Sequence, residues 1–254
     1  MQSLNCKERP YTHRERTIAP MRLGLSSLRM DLVPADIAWV HHFGDMDGAF
    51  DALYPEEAAH MARAVAKRRH EFATVRMCAR QALADLGVEP APLLPGRGGA
   101  PVWPDAVVGS MTHCAGYRAC AVATRDRYAA IGIDAEPHEP LSADVAMQVL
   151  GPAERQQLPG VHADRLVFCA KEEVFKAWFP LTGRWLDFPD VRIEPALDGT
   201  FAARFLVPGP VVGGRRLGEL TGRWRVGSRL IVVALTVPAS PGISGRDAGC
   251  AHPG

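Results

Sequence analysis

The stretch from Leu166 to Trp178 restricts the possible folds more than any other part of the chain. Leu166, Ala170, Val174 and Trp178 recur at every fourth position, the spacing that lines one face of an α-helix. A helix with such a row must be covered by another layer, so this element belongs against a sheet or a second helix. Lys171, Glu172 and Lys176 fall outside the row and are free for the opposite face. The chain holds only four lysines, Lys7, Lys67, Lys171 and Lys176, among 29 basic residues. A lysine kept where arginine is otherwise used hints that a compact ammonium is wanted rather than a planar fork. Glu172 and Lys176 are also spaced as an ordinary surface ion pair, and both readings stand on this segment alone.

The remaining elements point to a mixed α+β chain. Pro55-Glu-Glu opens a helix that Leu86-Gly87 closes, with proline at the start and acids in the first turn. Met61, Val65, Phe72, Val75, Ala79 and Leu83 supply its buried stripe, while Arg63, Lys67, Arg68, Arg69, Arg76 and Arg80 oppose a single acid between residues 63 and 80. Such a run is either a solvated face or an anion site. Residues 88–104 hold five prolines and a cluster of glycines, a loop composition. Val107-Val-Gly and Tyr117-Arg-Ala-Cys-Ala-Val-Ala read as strands around a polar turn, Ser110 to Gly116, that carries His113. Ser142 caps a short helix, and Asp164 can cap the helix containing Glu172. Strands are expected at 190–194, 200–207, 222–226 and 230–237.

Ala129 to Glu136 reads as a buried strand that ends in acid and stops at Pro137. Side chains two apart share a strand face, so Asp134 and Glu136 point the same way. Like carboxylates side by side repel unless a cation separates them, and oxygen ligands of this kind suit Mg²⁺. A solvated strand end is the alternative.

Six cysteines without a Cys-x-x-Cys pair suggest neither a disulfide frame nor a zinc cage, and fit a reducing cytoplasm. No apolar run reaches the roughly 20 residues that cross a bilayer, so no membrane role is expected. A formal charge of +1 gives no global case for nucleic acid. Residues 1–29 and 239–254 lack core-forming periodicity and are expected to be disordered. Met1, Met21 and Met30 are each possible starts. Between the two ends, an N-terminal lobe of 30–129 and a C-terminal lobe of 130–238 are expected.

In order and separation, Ala66-Lys-Arg-Arg-His-Glu-Phe72, Val102-Trp-Pro104, Ser110-Met-Thr-His113, Gly132-Ile-Asp-Ala-Glu-Pro-His138 and Phe168-Cys-Ala-Lys-Glu-Glu-Val-Phe-Lys176 resemble the 4′-phosphopantetheinyl transferases. The likeness is to the surfactin- and enterobactin-synthetase type and its actinobacterial members, over about residues 40–237. The resemblance implies a pseudo-two-fold pair of α/β lobes with coenzyme A in the cleft between them. It also implies a holo-[acyl-carrier-protein] synthase activity that moves the 4′-phosphopantetheine arm to a carrier-protein serine and releases 3′,5′-ADP. Asp134, Glu136 and Glu172 would hold Mg²⁺. Arg68, Arg76, Ser110, His113, Lys171 and Lys176 would surround the coenzyme A phosphates, with Glu172, directly or through water, as the base for serine and Lys176 beside it. Where relatives carry a coenzyme A-contacting lysine, this chain has Pro95, with Arg97 two residues on. A monomer is expected, and carriers of fatty-acid, polyketide or nonribosomal-peptide assembly are the expected partners. The same acids would also serve a Mg²⁺-dependent phosphohydrolase, and the basic residues alone a non-enzymatic coenzyme A-binding module.

Overall fold

The computed structural model describes residues 32–155, 157–227 and 229–239. The arms expected to be disordered, residues 1–29 and 239–254, lie outside the described residues except for Ala239. Strand β1 (Ala38–Phe43) is followed by helices α1 (Pro55–His60) and α2 (Ala66–Asp85), then strands β2 (Val107–Cys114), β3 (Tyr117–Thr124) and β4 (Tyr128–Pro137). Helices α3 (Ala143–Val149) and α4 (Ala163–Thr182) precede β5 (Val191–Pro195), β6 (Thr200–Phe205), the short hairpin β7 (Val211–Val212) and β8 (Arg215–Arg216), β9 (Glu219–Val226) and β10 (Leu230–Pro238).

The strands form a three-stranded sheet in the order β1-β3-β2 and a five-stranded sheet in the order β4-β10-β9-β6-β5, each antiparallel throughout. The layers run helix, sheet, sheet, helix. Helix α2 buries Cys78, Ala79, Ala82 and Leu83 against Ala38, Cys120 and Val122 of the smaller sheet. The opposite face of that sheet, with Trp39, Ala119 and Ala121, meets Ile131, Ile133, Val232 and Ala234 of the larger one. On the far side, Ile231, Val233 and Leu235 join Leu166, Ala170, Val174 and Trp178 of α4. Strand β10 is thus buried on both faces, which is why its sequence runs apolar without alternating.

Several expectations change. The single long helix from Pro55 is two helices. Met61 ends α1, and Val65, with ψ of 153°, is extended and 73% exposed instead of buried. The break lets α1 turn so that Glu57 reaches Arg80 of α2, a demand that no Gly or Pro signals. The polar turn expected at Ser110 to Gly116 is mostly strand: β2 runs to Cys114, and only Ala115 and Gly116 turn. Strand β1 is an element that the sequence reading leaves unassigned. His162, not Asp164, is the N-cap of α4, and the Asp164 carboxylate instead accepts the Leu141 N–H at 2.7 Å. Ser142 does cap α3, accepting from the Val145 N–H at 3.4 Å.

Strands β2 and β4 are facing edges of different sheets, and side chains replace the missing ladder between them. The Ile133 N–H donates to Ser110 Oγ at 3.1 Å and the Ala135 N–H to Thr112 Oγ1 at 3.2 Å. Lys176 Nζ donates to Ile133 O at 3.0 Å. Edge groups left unpaired in a buried seam would be costly, so hydroxyls at alternate positions of β2 are well suited to close it.

Candidate active site

The seam opens into a cavity of about 920 Å³. Arg68 and Arg76 of α2, Ser110 and His113 of β2, and Glu172 and Lys176 of α4 all line it, together with the loop Pro95–Val102. Arg68, Arg76, Arg97, Arg125 and Lys176 line this space, against the two acids Glu71 and Glu172. A concave site with that excess of cations suits a polyanion.

Helix α4 can deliver its polar residues to the seam because Gly132 lets it lie directly on β4. A Cβ at Gly132 would sit 2.4 Å from the Glu173 carbonyl oxygen. Asp134 and Glu136 share the β4 face turned to α4. Asp134 Oδ1 accepts from Lys176 Nζ at 2.7 Å and from Thr112 Oγ1 at 2.8 Å. Glu136 pairs with Arg165 of α4 at 3.1 Å. Burial alone would pull the Lys176 pKa down, but the charge and hydrogen bond of Asp134, helped by Glu172, carry it above the ordinary lysine value. Lys176 is therefore a fixed cation held between two carboxylates at the cavity wall.

The acids offer the oxygen donors of a metal site. All-oxygen ligation suits Mg²⁺, and Asp134 Oδ2 is buried with no hydrogen-bond partner, a deficit that a bound cation would remove. Asp134 and Glu136 do share one face. Yet no three His, Cys, Asp or Glu side chains converge as a ligand set among the described residues, so the expected gathering of Asp134, Glu136 and Glu172 is only partly formed. Arg165 holds Glu136, and Lys176 holds the other oxygen of Asp134.

The basic residues divide in the same way. Arg68 Nη1 donates to His113 Nε2 at 2.6 Å, and Glu71 stands 3.6 Å from the same ring nitrogen. Arg76 is buried, with its guanidinium 3.5 Å from the Phe72 ring centroid; burial lowers its pKa to about 10. Its Nε and Nη2 donate to Leu93 O at 3.2 and 3.0 Å. Arg69 lies over Phe50 and Arg80 pairs with Glu57, so the run of cations on this helix is neither a solvated face nor a single anion face.

Lys171 departs from expectation. Its ammonium does not reach the cavity. It donates to Val149 O at 2.8 Å, Glu154 Oε2 at 2.7 Å and Phe188 O at 2.9 Å, which uses all three of its protons. Glu154 in turn accepts the Ile193 N–H at 2.7 Å and the Gly151 N–H at 2.8 Å. Lys171 is on the core side of α4 and ties down the chain around it, a placement that the apolar row alone does not disclose.

Other residues at the site, Arg97 apart, carried no sequence signal of their own. Glu71 lies within the Ala66–Phe72 string but contacts His113 only through the fold. Arg97, Phe175 and Phe179 line the cavity. Gly98, at φ 64°, allows the loop to rest on Phe179, where a Cβ would come within 2.4 Å of the ring. Glu173 is wholly buried and neither of its oxygens has a hydrogen-bond partner. Burial, reinforced by Asp134, pushes its pKa well above the usual carboxylate range, which favours the neutral acid.

Comparison with known proteins matches residues 56–123 to a family model described as the 4′-phosphopantetheinyl transferase N-terminal domain, and residues 130–220 to one described as the 4′-phosphopantetheinyl transferase superfamily. The chain is 55% identical over 226 residues to 4′-phosphopantetheinyl transferase Svp of Streptomyces mobaraensis, covering 85% of this chain and 92% of that protein. It is 48% identical to 4′-phosphopantetheinyl transferase PptT of Mycobacterium tuberculosis, over 80% of this chain and 92% of the relative. With 4′-phosphopantetheinyl transferase Npt of Nocardia iowensis the identity is 46%, over 72% of this chain and 88% of the relative.

Proposed function

The chain belongs to the 4′-phosphopantetheinyl transferase family, and from that premise we propose that it transfers the 4′-phosphopantetheine arm of coenzyme A to a serine of an acyl or peptidyl carrier protein, with Mg²⁺, releasing 3′,5′-ADP. The observation that carries this reading is the convergence of Arg68, Arg76, Ser110, His113, Glu172 and Lys176, from three separate segments, on one cavity.

In the reaction, the serine oxygen forms a bond to the phosphorus next to the pantetheine arm, and the bond from that phosphorus to the bridging oxygen of 3′,5′-ADP breaks. Negative charge grows on the transferred and leaving oxygens, so fixed cations in a water-poor cleft lower the barrier. Arg68, Arg76 and His113 bind and orient the phosphates. Lys176, anchored by Asp134 and Ile133 O, supplies a positive charge that need not reorganise during reaction. The serine proton passes to Glu172, which faces the cavity from α4. Asp134, Glu136 and Glu172 would hold Mg²⁺, which would supply positive charge against the pyrophosphate. The orphaned Asp134 Oδ2 and the shared β4 face of Asp134 and Glu136 support this set. Positioning of the two reactants contributes much of the remaining rate.

No helix among the described residues is long and apolar enough to cross a membrane, and we place the enzyme in the cytoplasm, acting as a monomer on separate carrier proteins. The direct test is to mix the protein with coenzyme A, Mg²⁺ and an apo carrier protein, and to follow the carrier by mass spectrometry. A carrier heavier by one phosphopantetheine, with stoichiometric 3′,5′-ADP, is the expected result. Pyrophosphate cleavage with the carrier unchanged would indicate a hydrolase, and binding without turnover a coenzyme A-binding module.

A further inference from the structure

The cavity wall formed by the loop after Leu93 is anchored by a cluster around Glu57, of which only Arg76 lines the cavity. Glu57 is 0% exposed. Its Oε1 accepts the Leu93 N–H at 2.9 Å, while Arg76 holds the carbonyl of the same residue. Glu57 Oε2 accepts from the Tyr54 N–H at 3.1 Å and from Arg80 Nη2 at 2.5 Å. Arg80 also donates to Ala52 O, and its guanidinium lies 4.0 Å from the Tyr54 ring centroid. The Tyr54 hydroxyl donates to Pro90 O at 3.1 Å.

Beyond Leu93 the chain forms a closed loop. Gly96 N–H donates to Ala100 O at 2.7 Å and Val102 N–H to Leu94 O at 2.9 Å, Pro95 bridges Pro101, and Gly98 rests on Phe179. These cross-links make the loop a compact unit on its root. A buried carboxylate is costly to place unless its hydrogen bonds are complete. At Glu57 they are, and they join three separate segments: the turn before α1, helix α2 and the loop root.

We propose that Glu57, with Arg80 as its counter-ion, is a positioning residue for coenzyme A. By fixing the Leu93 peptide it sets both the Arg76 guanidinium and the loop wall that bears Arg97. The inference rests on the reading of the cavity as the coenzyme A site. A purely structural carboxylate would, when altered, reduce the amount of folded enzyme, lowering the melting temperature and the apparent kcat while leaving the KM for coenzyme A unchanged. A positioning residue gives the opposite split.

The test is Glu57→Gln in the full chain, with steady-state kinetics for coenzyme A and for the carrier and amide hydrogen exchange of residues 94–102. The expected result is a KM for coenzyme A raised about tenfold, with kcat and the carrier KM within about twofold, because small displacements of binding groups weaken binding steeply. Faster exchange of residues 94–102 should accompany it. An unchanged KM for coenzyme A with a lowered melting temperature overturns the inference. Should Glu57→Gln not fold, Arg80→Lys, which keeps a cation but loses the fork, gives the same readouts with the same two outcomes. Wild-type protein with coenzyme A separates the two readings: protection of residues 94–102 upholds the cavity as the coenzyme A site whatever Glu57→Gln does, and no protection in active enzyme overturns that reading and the inference with it.

Discussion

Lys171 and Lys176 share one helix and meet different fates. Lys176 faces the cavity and carries Asp134; Lys171 points the other way and satisfies Glu154 and two carbonyls inside the protein. Lys171→Met would strand the buried Glu154 carboxylate, and removing one member of a buried pair costs about 3 kcal/mol or more. Urea denaturation should show that loss, while the folded fraction keeps its KM for coenzyme A; a raised KM with stability intact would place Lys171 at the phosphates after all. Asp134→Asn should abolish transfer and also the heat of Mg²⁺ binding measured by calorimetry, because the buried Oδ2 is lost as an anionic ligand. Retained Mg²⁺ binding by this variant would remove Asp134 from the metal set. At this scale the sequence was informative where spacing alone determines direction. Asp134 and Glu136 had to share a strand face. The direction of Lys171 depended on a partner 17 residues earlier, which helical periodicity does not encode.

Helix α4 and strand β4 are the elements on which the site depends, and Gly132 sets their separation. In Gly132→Ala the added Cβ meets the Glu173 backbone at 2.4 Å, so the helix must shift. Overpacking of this kind costs about 1–3 kcal/mol, and the shift should lower kcat by drawing Lys176 from Asp134. A variant as active and as stable as wild type would show that α4 adjusts freely. The β2–β4 seam makes a second case. Thr112→Val removes the acceptor for the Ala135 N–H and a donor to Asp134, and a buried donor left unsatisfied costs about 1–3 kcal/mol. Thermal unfolding should show a destabilisation that Thr112→Ser largely reverses. The α4 stripe was legible because its apolar row and its core face coincide. The α1–α2 break was not: no residue between Met61 and Val65 forbids a helix, and Glu57 reaches its partners only when the chain turns there.

For the whole molecule, removal of residues 1–29 and 239–254 should leave turnover intact, because neither segment has the periodicity that would give it a share in the core. Kinetics of the shortened protein test this, and a large loss of activity with the fold preserved would give the arms a role. The composition, the apolar row of α4, the paired acids of β4 and the order of the motifs together determined an α+β chain and its family, since these depend on local periodicity and residue identity. Only the tertiary structure decided that two sheets meet edge to edge at Ser110 and Thr112, that Lys171 turns inward while Lys176 faces the cavity, and that Glu57 holds the root of the loop lining it. Those contacts join residues far apart in the chain. They follow from which edges and faces are left to bury once the layers pack, a property of the assembled fold that no single segment carries.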